Sequence, residues 1–284
     1  AGDPNAPIVR LLQASQQRDA PDRFRILPRQ VGSIWQNGPL VWQLDSAWGY
    51  SVLWLTAYRT LFDAATADPS SPLFDLMNVR YVLTPGPIEE TFPGLAAGDV
   101  RPIYDGSPRV FENPSAFPRV WVASEAVLLP REQQIAYLSA HAPALRDLVV
   151  LDQDAAVPPQ AAPGAGTPAT APGTAQIVHY ENTRVVVEAR LARDAFVVLL
   201  DTAYPGWEAR IDGERVPLYR ADHAFRAVWV PAGEHRIEFR FTAPTIRNGA
   251  VVSGASVLAL AGLVLVSAAR GRTLRFAWHY LGGR

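Results

Sequence analysis

The sequence has no cysteine and no lysine: its 26 basic residues are all arginine. Without cysteine there is no disulfide, no thiolate nucleophile and no zinc–thiolate site. A formal net charge of −1 gives no electrostatic case for a nucleic-acid partner. No HExxH, GxSxG or P-loop occurs, and no glycine-rich turn sits between a strand and a helix. Gly164-Ala165-Gly166 lies among prolines, so it is not a dinucleotide fingerprint. The histidines, His141, His179, His223, His235 and His279, are scattered without ligand spacing and are read as surface or strand residues. Asp152-Gln153-Asp154 follows an apolar run, where paired carboxylates suit a hard cation. No nucleotide-binding α/β unit of the needed size precedes it, so the aspartates are read as solubilising the exit from a strand. On these grounds no catalytic, cofactor-binding or metal residue is named.

What is present is one long apolar run. Gly249–Ala269 has no charged residue and no proline. At 1.5 Å per residue, about 20 such residues cross a hydrocarbon core of about 30 Å. A buried helix of a soluble protein is normally shorter and keeps a polar stripe. Arg270, Arg272 and Arg275 follow the run, while Arg247 alone stands close before it. Positive charge collects on the cytoplasmic side, so the tail is expected inside and residues 1–247 outside. The pairs Gly249/Ser253 and Ala255/Ala259 place small residues four apart, as in helices packed within a bundle. The opening residues AGDPNAP hold no apolar export segment. The expectation is therefore a C-terminal piece of a longer membrane protein, whose missing transmembrane bundle is a partner along with lipid.

The remaining chain divides by composition. Residues 1–153 mix short strands with helices and predict a mixed α/β domain. Arg23–Leu27, Val79–Thr84, Val100–Tyr104, Arg109–Glu112, Val120–Ala123 and Asp147–Leu151 read as strands. Leu53–Ala67 and Arg131–Ser139 read as helices, and Ser71 followed by Pro72 as the start of a short one. Residues 154–175 are almost wholly Ala, Pro, Gly and Thr, an extended spacer and a domain boundary.

Residues 176–247 read as a small antiparallel β-sandwich or jelly roll. Val185, Val187, Ala189 and Leu191 alternate onto one face, and so do Ile237, Phe239 and Phe241. Ala195–Leu200 is apolar on both faces, as in a central strand. Asp212-Gly213 is a tight hairpin turn, and Pro231–Glu234 reads as a second hairpin joining Phe225–Val230 to His235–Phe241. The whole is α+β and multidomain: α/β domain 1–153, linker 154–175, sandwich 176–247, transmembrane helix 248–270 and cytoplasmic tail 271–284. The densest polar-aromatic group is Tyr219, Arg220, Asp222, His223 and Arg226. It is the candidate carbohydrate contact, against the plainer reading of a loop whose aromatics are core.

Certain runs resemble a known family. Tyr204-Pro205-Gly206-Trp207, Asp212-Gly213, Ala224–Val228, Val230–His235 and Phe239-Arg240-Phe241, then Pro244 and a last apolar helix, are similar to the C-terminal end of bacterial YfhO-type membrane proteins. Pro72–Thr84 and Phe117-Pro118-Arg119-Val120 match upstream pieces. Gly49-Tyr50 resembles the start of a Gly-Tyr-Asp element, with Ser51 in place of the acid. The resemblance implies a polytopic protein similar to GT-C glycosyltransferases. These take sugar from a polyprenyl-phosphate carrier, through a catalytic acid on an early external loop that this chain does not contain. The implied role is an accessory extracytoplasmic region, with cell-envelope glycan as a partner. The alternative is a non-catalytic membrane-anchored module that binds carbohydrate or acts as a scaffold.

Overall fold

The computed structural model describes residues 5–18, 22–29, 31, 37–49, 54–93, 99–141, 145–158 and 172–281, with backbone alone for 244–248, 269 and 271–281. Tyr50, Ser51 and Gly164–Gly166 lie outside the described residues, as does most of 154–175. Two compact units emerge, Ala1–Phe241 and Thr242–Arg284.

The first unit begins with α1 (Ala6–Arg18), β1 (Arg25–Pro28), the single turn α2 (Gly38–Val41), β2 (Asp45–Ser46), α3 (Thr56–Ala67), α4 (Leu73–Leu76), β3 (Val79–Thr84) and α5 (Ile88–Thr91). Then come β4 (Arg101–Tyr104), β5 (Arg109–Glu112), β6 (Val120–Ala123), β7 (Glu125–Leu129), α6 (Arg131–Ala140) and β8 (Leu148–Asp152). Beyond the proline-rich stretch lie β9 (Gly173–Glu181), β10 (Arg184–Leu191), β11 (Ala195–Leu199), β12 (Trp207–Ile211), β13 (Glu214–Val216), β14 (Tyr219–Ala221), β15 (Phe225–Val230) and β16 (Gly233–Phe241). The expected short helix near Ser71 forms, but Pro72 takes the cap position and Ser71 turns its hydroxyl back to the Asp68 carbonyl at 2.7 Å.

Three sheets result, ordered β2-β1-β3-β5-β4, β13-β12-β16-β10-β9 and β6-β11-β15-β14-β8-β7. The second is antiparallel throughout, and its register sets Val187 against Ile237 and Val185 against Phe239. These residues share one face, as their alternation requires. Opposite them the third sheet presents Val120, Val122, Val197, Leu199, Val228 and Val230, completing the sandwich core. The reverse face of β11, Phe196 and Val198, packs with Phe225, the α3–α4 region and one face of β3. β11 is thus buried on both sides. A third cluster joins Ile8 and Leu12 of α1 to Ile26, Tyr81 and Val110 of the first sheet.

Two sequence expectations change here. The third sheet takes β6, β7 and β8 from before residues 154–175 and β11, β14 and β15 from after them. Phe196 pairs with Ala123 and Leu199 with Val120, so the expected boundary falls inside one compact unit. In sequence the stretch leads from β8 of the third sheet to β9 of the second, and β9 already begins at Gly173. The second hairpin is also corrected: β15 pairs with β11 and β14, whereas β16 pairs with β10 and β12. The physical reason is burial. β15 is covered on nearly every residue and takes an interior position, while β16 alternates and belongs to a sheet with one solvated face.

The Asp212-Gly213 turn forms as expected, with φ of 51° and 90°, the left-handed pair that a two-residue hairpin needs. Gly206 sits at φ 106°, where an added Cβ would meet Phe241 Cε2 at 2.6 Å.

The second unit is one helix, α7 (Pro244–Leu281). Its segment Gly249–Ala268 is 20 residues long with mean hydropathy 2.3, long and apolar enough to cross a membrane. Ser256 returns its hydroxyl to the Val252 carbonyl at 2.9 Å, so no polar group of that side chain is left for hydrocarbon to solvate. The helix does not stop at the apolar segment but continues through most of the expected tail.

Candidate functional site

The five candidate carbohydrate contacts do not form an open surface. Tyr219 is buried and donates its hydroxyl to the Ala156 carbonyl at 2.9 Å. Arg220 Nη1 lies 3.9 Å from Asp152 Oδ2, and Arg131 reaches the same oxygen at 3.4 Å. That accounts for Asp152 in the Asp-Gln-Asp run as an ion-pair partner, and no group of ligands suited to a metal occurs among the described residues. Asp222 and His223 both take left-handed backbone, with φ of 46° and 70°, and both are buried. Asp222 Oδ1 accepts from the Val150 N–H at 2.9 Å, and its backbone N–H donates to the Val150 carbonyl at 2.7 Å. Burial pushes the Asp222 carboxyl up to about 7, only partly offset by the Val150 bond. Burial and the Arg131 charge lower His223.

Arg226 goes elsewhere, into a buried cluster that draws on all three sheets. Asp201 stands just after β11 and is only 7% exposed. Its carboxylate lies 3.0 Å from Arg119, 3.2 Å from Arg226 and 3.5 Å from Arg25, and accepts from the Tyr180 hydroxyl at 3.0 and 3.1 Å. Arg119 also reaches Asp45 at 3.3 Å, and Arg23 grips Asp45 with two bonds of 3.0 Å. Arg25 and Asp45 come from the first sheet, Tyr180 from the second and Arg226 from the third.

Four arginines face two aspartates here, so positive charge is in excess. Backbone carbonyls and an aromatic face absorb it. Arg25 donates to the Met77 and Leu200 carbonyls at 2.9 and 2.7 Å, and the Arg226 guanidinium lies 3.7 Å over the Trp207 ring. Burial alone would raise the Asp201 carboxyl. Arg119, Arg226 and Arg25, with the Tyr180 hydroxyl, outweigh it and hold the group below the usual carboxylate range. An ionised carboxylate held by arginines has no proton to donate and is a weak base. The cluster is a lock between sheets.

Beside the lock lies an open cleft of about 550 Å³, a size common for ligand sites. Arg23 and Tyr180 belong to both. The Arg23 guanidinium stacks 4.3 Å from the Tyr180 ring centroid, which fixes that wall. Across from it α1 supplies Gln13, Gln16 and Gln17, and the turn after α2 supplies Trp42 and Gln43. A smaller cavity of about 210 Å³ lies over Phe74, Val82 and Phe92, with Asp75 and Asn113 hydrogen-bonded to each other at its side.

Sequence reasoning singled out neither the lock nor the cleft. One signal was available: Arg25 interrupts a run whose neighbours Phe24 and Ile26 are buried, and Asp201 directly follows an apolar strand. Charges in such places need partners.

A β-rich unit followed directly by a helix long and apolar enough to cross a membrane is the layout of a membrane-attached protein. Residues 170–253, from β9 into the apolar helix, match the family described as bacterial membrane protein YfhO, and this stretch is similar to that family. No curated protein and no solved structure matches the chain. Two of the upstream runs that resemble the family converge on the lock: Asn78 accepts from Arg119 at 3.2 Å, and Arg119 in turn holds Asp201.

Proposed function

We propose that this chain is the accessory extracytoplasmic region and last membrane helix of a polytopic glycosyltransferase-like protein. That protein moves sugar from a polyprenyl-phosphate carrier to a cell-envelope polymer. The observation that carries the reading is the YfhO-type stretch 170–253, which passes without a break from the sandwich into the apolar helix. The arginines after that helix support a cytoplasmic tail, and with it an external position for residues 1–247. The lock suits an accessory role, because its charges are spent on holding the sheets against one another. Catalysis then belongs to a part of the protein outside this chain.

The test compares full-length protein with a form lacking residues 1–241, each in membranes supplied with polyprenyl-phosphoryl sugar. Loss of transfer on deletion is expected. Undiminished transfer would refute the accessory role. The polar cleft also favours a second reading, a non-catalytic envelope-binding module on a single span. A hydropathy profile of the complete gene product separates the two, since the transferase needs many spans.

A further inference from the structure

We infer that the cleft between α1, the turn after α2 and β9 is a binding site for a neutral oligosaccharide. The argument starts from the amides. Gln13, Gln16 and Gln17 lie three and four residues apart, so one helix face carries all three. Gln13 is spent on structure: its Nε2 donates to the Trp42 carbonyl at 2.9 Å and ties α1 to the turn. Among the described residues, Gln16, Gln17 and Gln43 have no hydrogen-bond partner for their amides, and all three line the cleft. Each offers two donors and an acceptor without charge, which is what a row of sugar hydroxyls requires.

Gln43 reaches the cleft from the turn that ends α2: its φ of 57° is the left-handed cap position, where the Gln43 N–H donates to the Leu40 carbonyl at 3.2 Å and the Leu44 N–H to the Pro39 carbonyl at 2.9 Å. Trp42, half-buried beside it, supplies an aromatic wall for the apolar face of a sugar ring. Charge argues against a polyanion. The arginine of the cleft, Arg23, already spends two bonds on Asp45 and stacks on Tyr180, and Asp22 stands next to it. Among the described residues of the cleft the other base is His179, which faces Glu181 at 3.1 Å, so a phosphate chain would meet a carboxylate beside each base.

The site goes beyond the accessory role proposed above and rests on that reading only for where the glycan comes from. The experiment uses the whole chain in nanodiscs, titrated calorimetrically with maltohexaose, cellohexaose and chitohexaose, and with heparin as the polyanion. Binding of at least one neutral hexasaccharide is expected, with heparin silent. The double variant Gln16→Ala/Gln17→Ala should weaken that binding at least about tenfold. Both changes are to a good helix former on a solvated face, so the melting temperature should not fall, and a lost signal then reports on the cleft. Absence of binding to every neutral probe would overturn the inference, as would binding that the double variant leaves intact. A transfer assay on the full-length protein keeps the two ideas apart. Active transfer with no saccharide binding sinks the cleft alone, and saccharide binding in a protein with no transfer activity sinks the transferase reading alone.

Discussion

Replacing Asp201 by asparagine tests the lock most sharply. The substitution keeps size and shape but removes the negative charge that Arg25, Arg119 and Arg226 share. Positive excess in the cluster then rises by one, in a place where Asp201 and all three arginines are buried. Breaking a buried ion pair from one side costs about 3–5 kcal/mol, because the partner charge stays behind uncompensated. Three partners put the expected loss at the upper end, about 4–5 kcal/mol, softened by the carbonyls that Arg25 also uses. For a unit of this size each kcal/mol moves the midpoint by about 2–4 °C, so a fall of at least about 8 °C is expected. The assay is urea and thermal unfolding of the full chain in mild detergent, followed by tryptophan fluorescence.

pH supplies an internal control. The folded carboxyl is depressed below its unfolded value of about 3.9, so its contribution is complete above that value and is lost as pH falls through the folded one. The gap between wild type and Asp201→Asn should therefore close in acid. A loss under about 1 kcal/mol at neutral pH, or a gap that ignores pH, would refute the reasoning.

Asp222 predicts the opposite slope. Its folded value, about 7, lies above the unfolded one, so wild-type stability falls as pH rises from about 4 to about 7, by about 4 kcal/mol in the full case. Asp222→Asn keeps the oxygen that accepts from Val150 and should flatten that part of a pH–stability profile; equal profiles for variant and wild type would contradict it. Phe239→Asp puts an unpaired carboxylate into the core between the second and third sheets. Because β6 pairs with β11, limited proteolysis should then cut within residues 1–153 as readily as within 176–241, and lasting protection of the earlier part would argue against a single unit. Gly206→Ala forces a side chain into Phe241 at a backbone angle suited to glycine, and a loss of at least about 1 kcal/mol in chemical denaturation is expected. An unchanged midpoint would count against that geometry.

Local pattern made some of this fold readable and hid the rest. The inward faces of β10 and β16 follow from alternation, and β11 from an apolar run with no polar face, because these patterns depend only on a strand's immediate surroundings. The apolar helix needed only length and composition. Misreadings came where pairing is distant. Phe225–Val230 and His235–Phe241 sit close in sequence with turn residues between them, yet enter different sheets because their burial differs. The spacer at 154–175 carries no sign that strands before and after it share a ladder. The lock draws on residues as far apart as Arg25 and Arg226, so no window along the chain contains it. The cleft has the same origin: α1 is amphipathic through Ile8, Val9 and Leu12, but its glutamine face gains meaning only once β9 lies across from it.

The account depends above all on where the two ends of the chain lie relative to a bilayer. This chain contributes no cysteine, so single-cysteine labelling within the full-length protein, with any cysteine outside this chain replaced, measures this directly in intact cells. Glu234→Cys, on an exposed part of the first unit, should react with a membrane-impermeant maleimide added outside. Thr273→Cys, after the apolar helix, should react only once the membrane is permeabilised. Labelling of both positions from the same side would contradict the account.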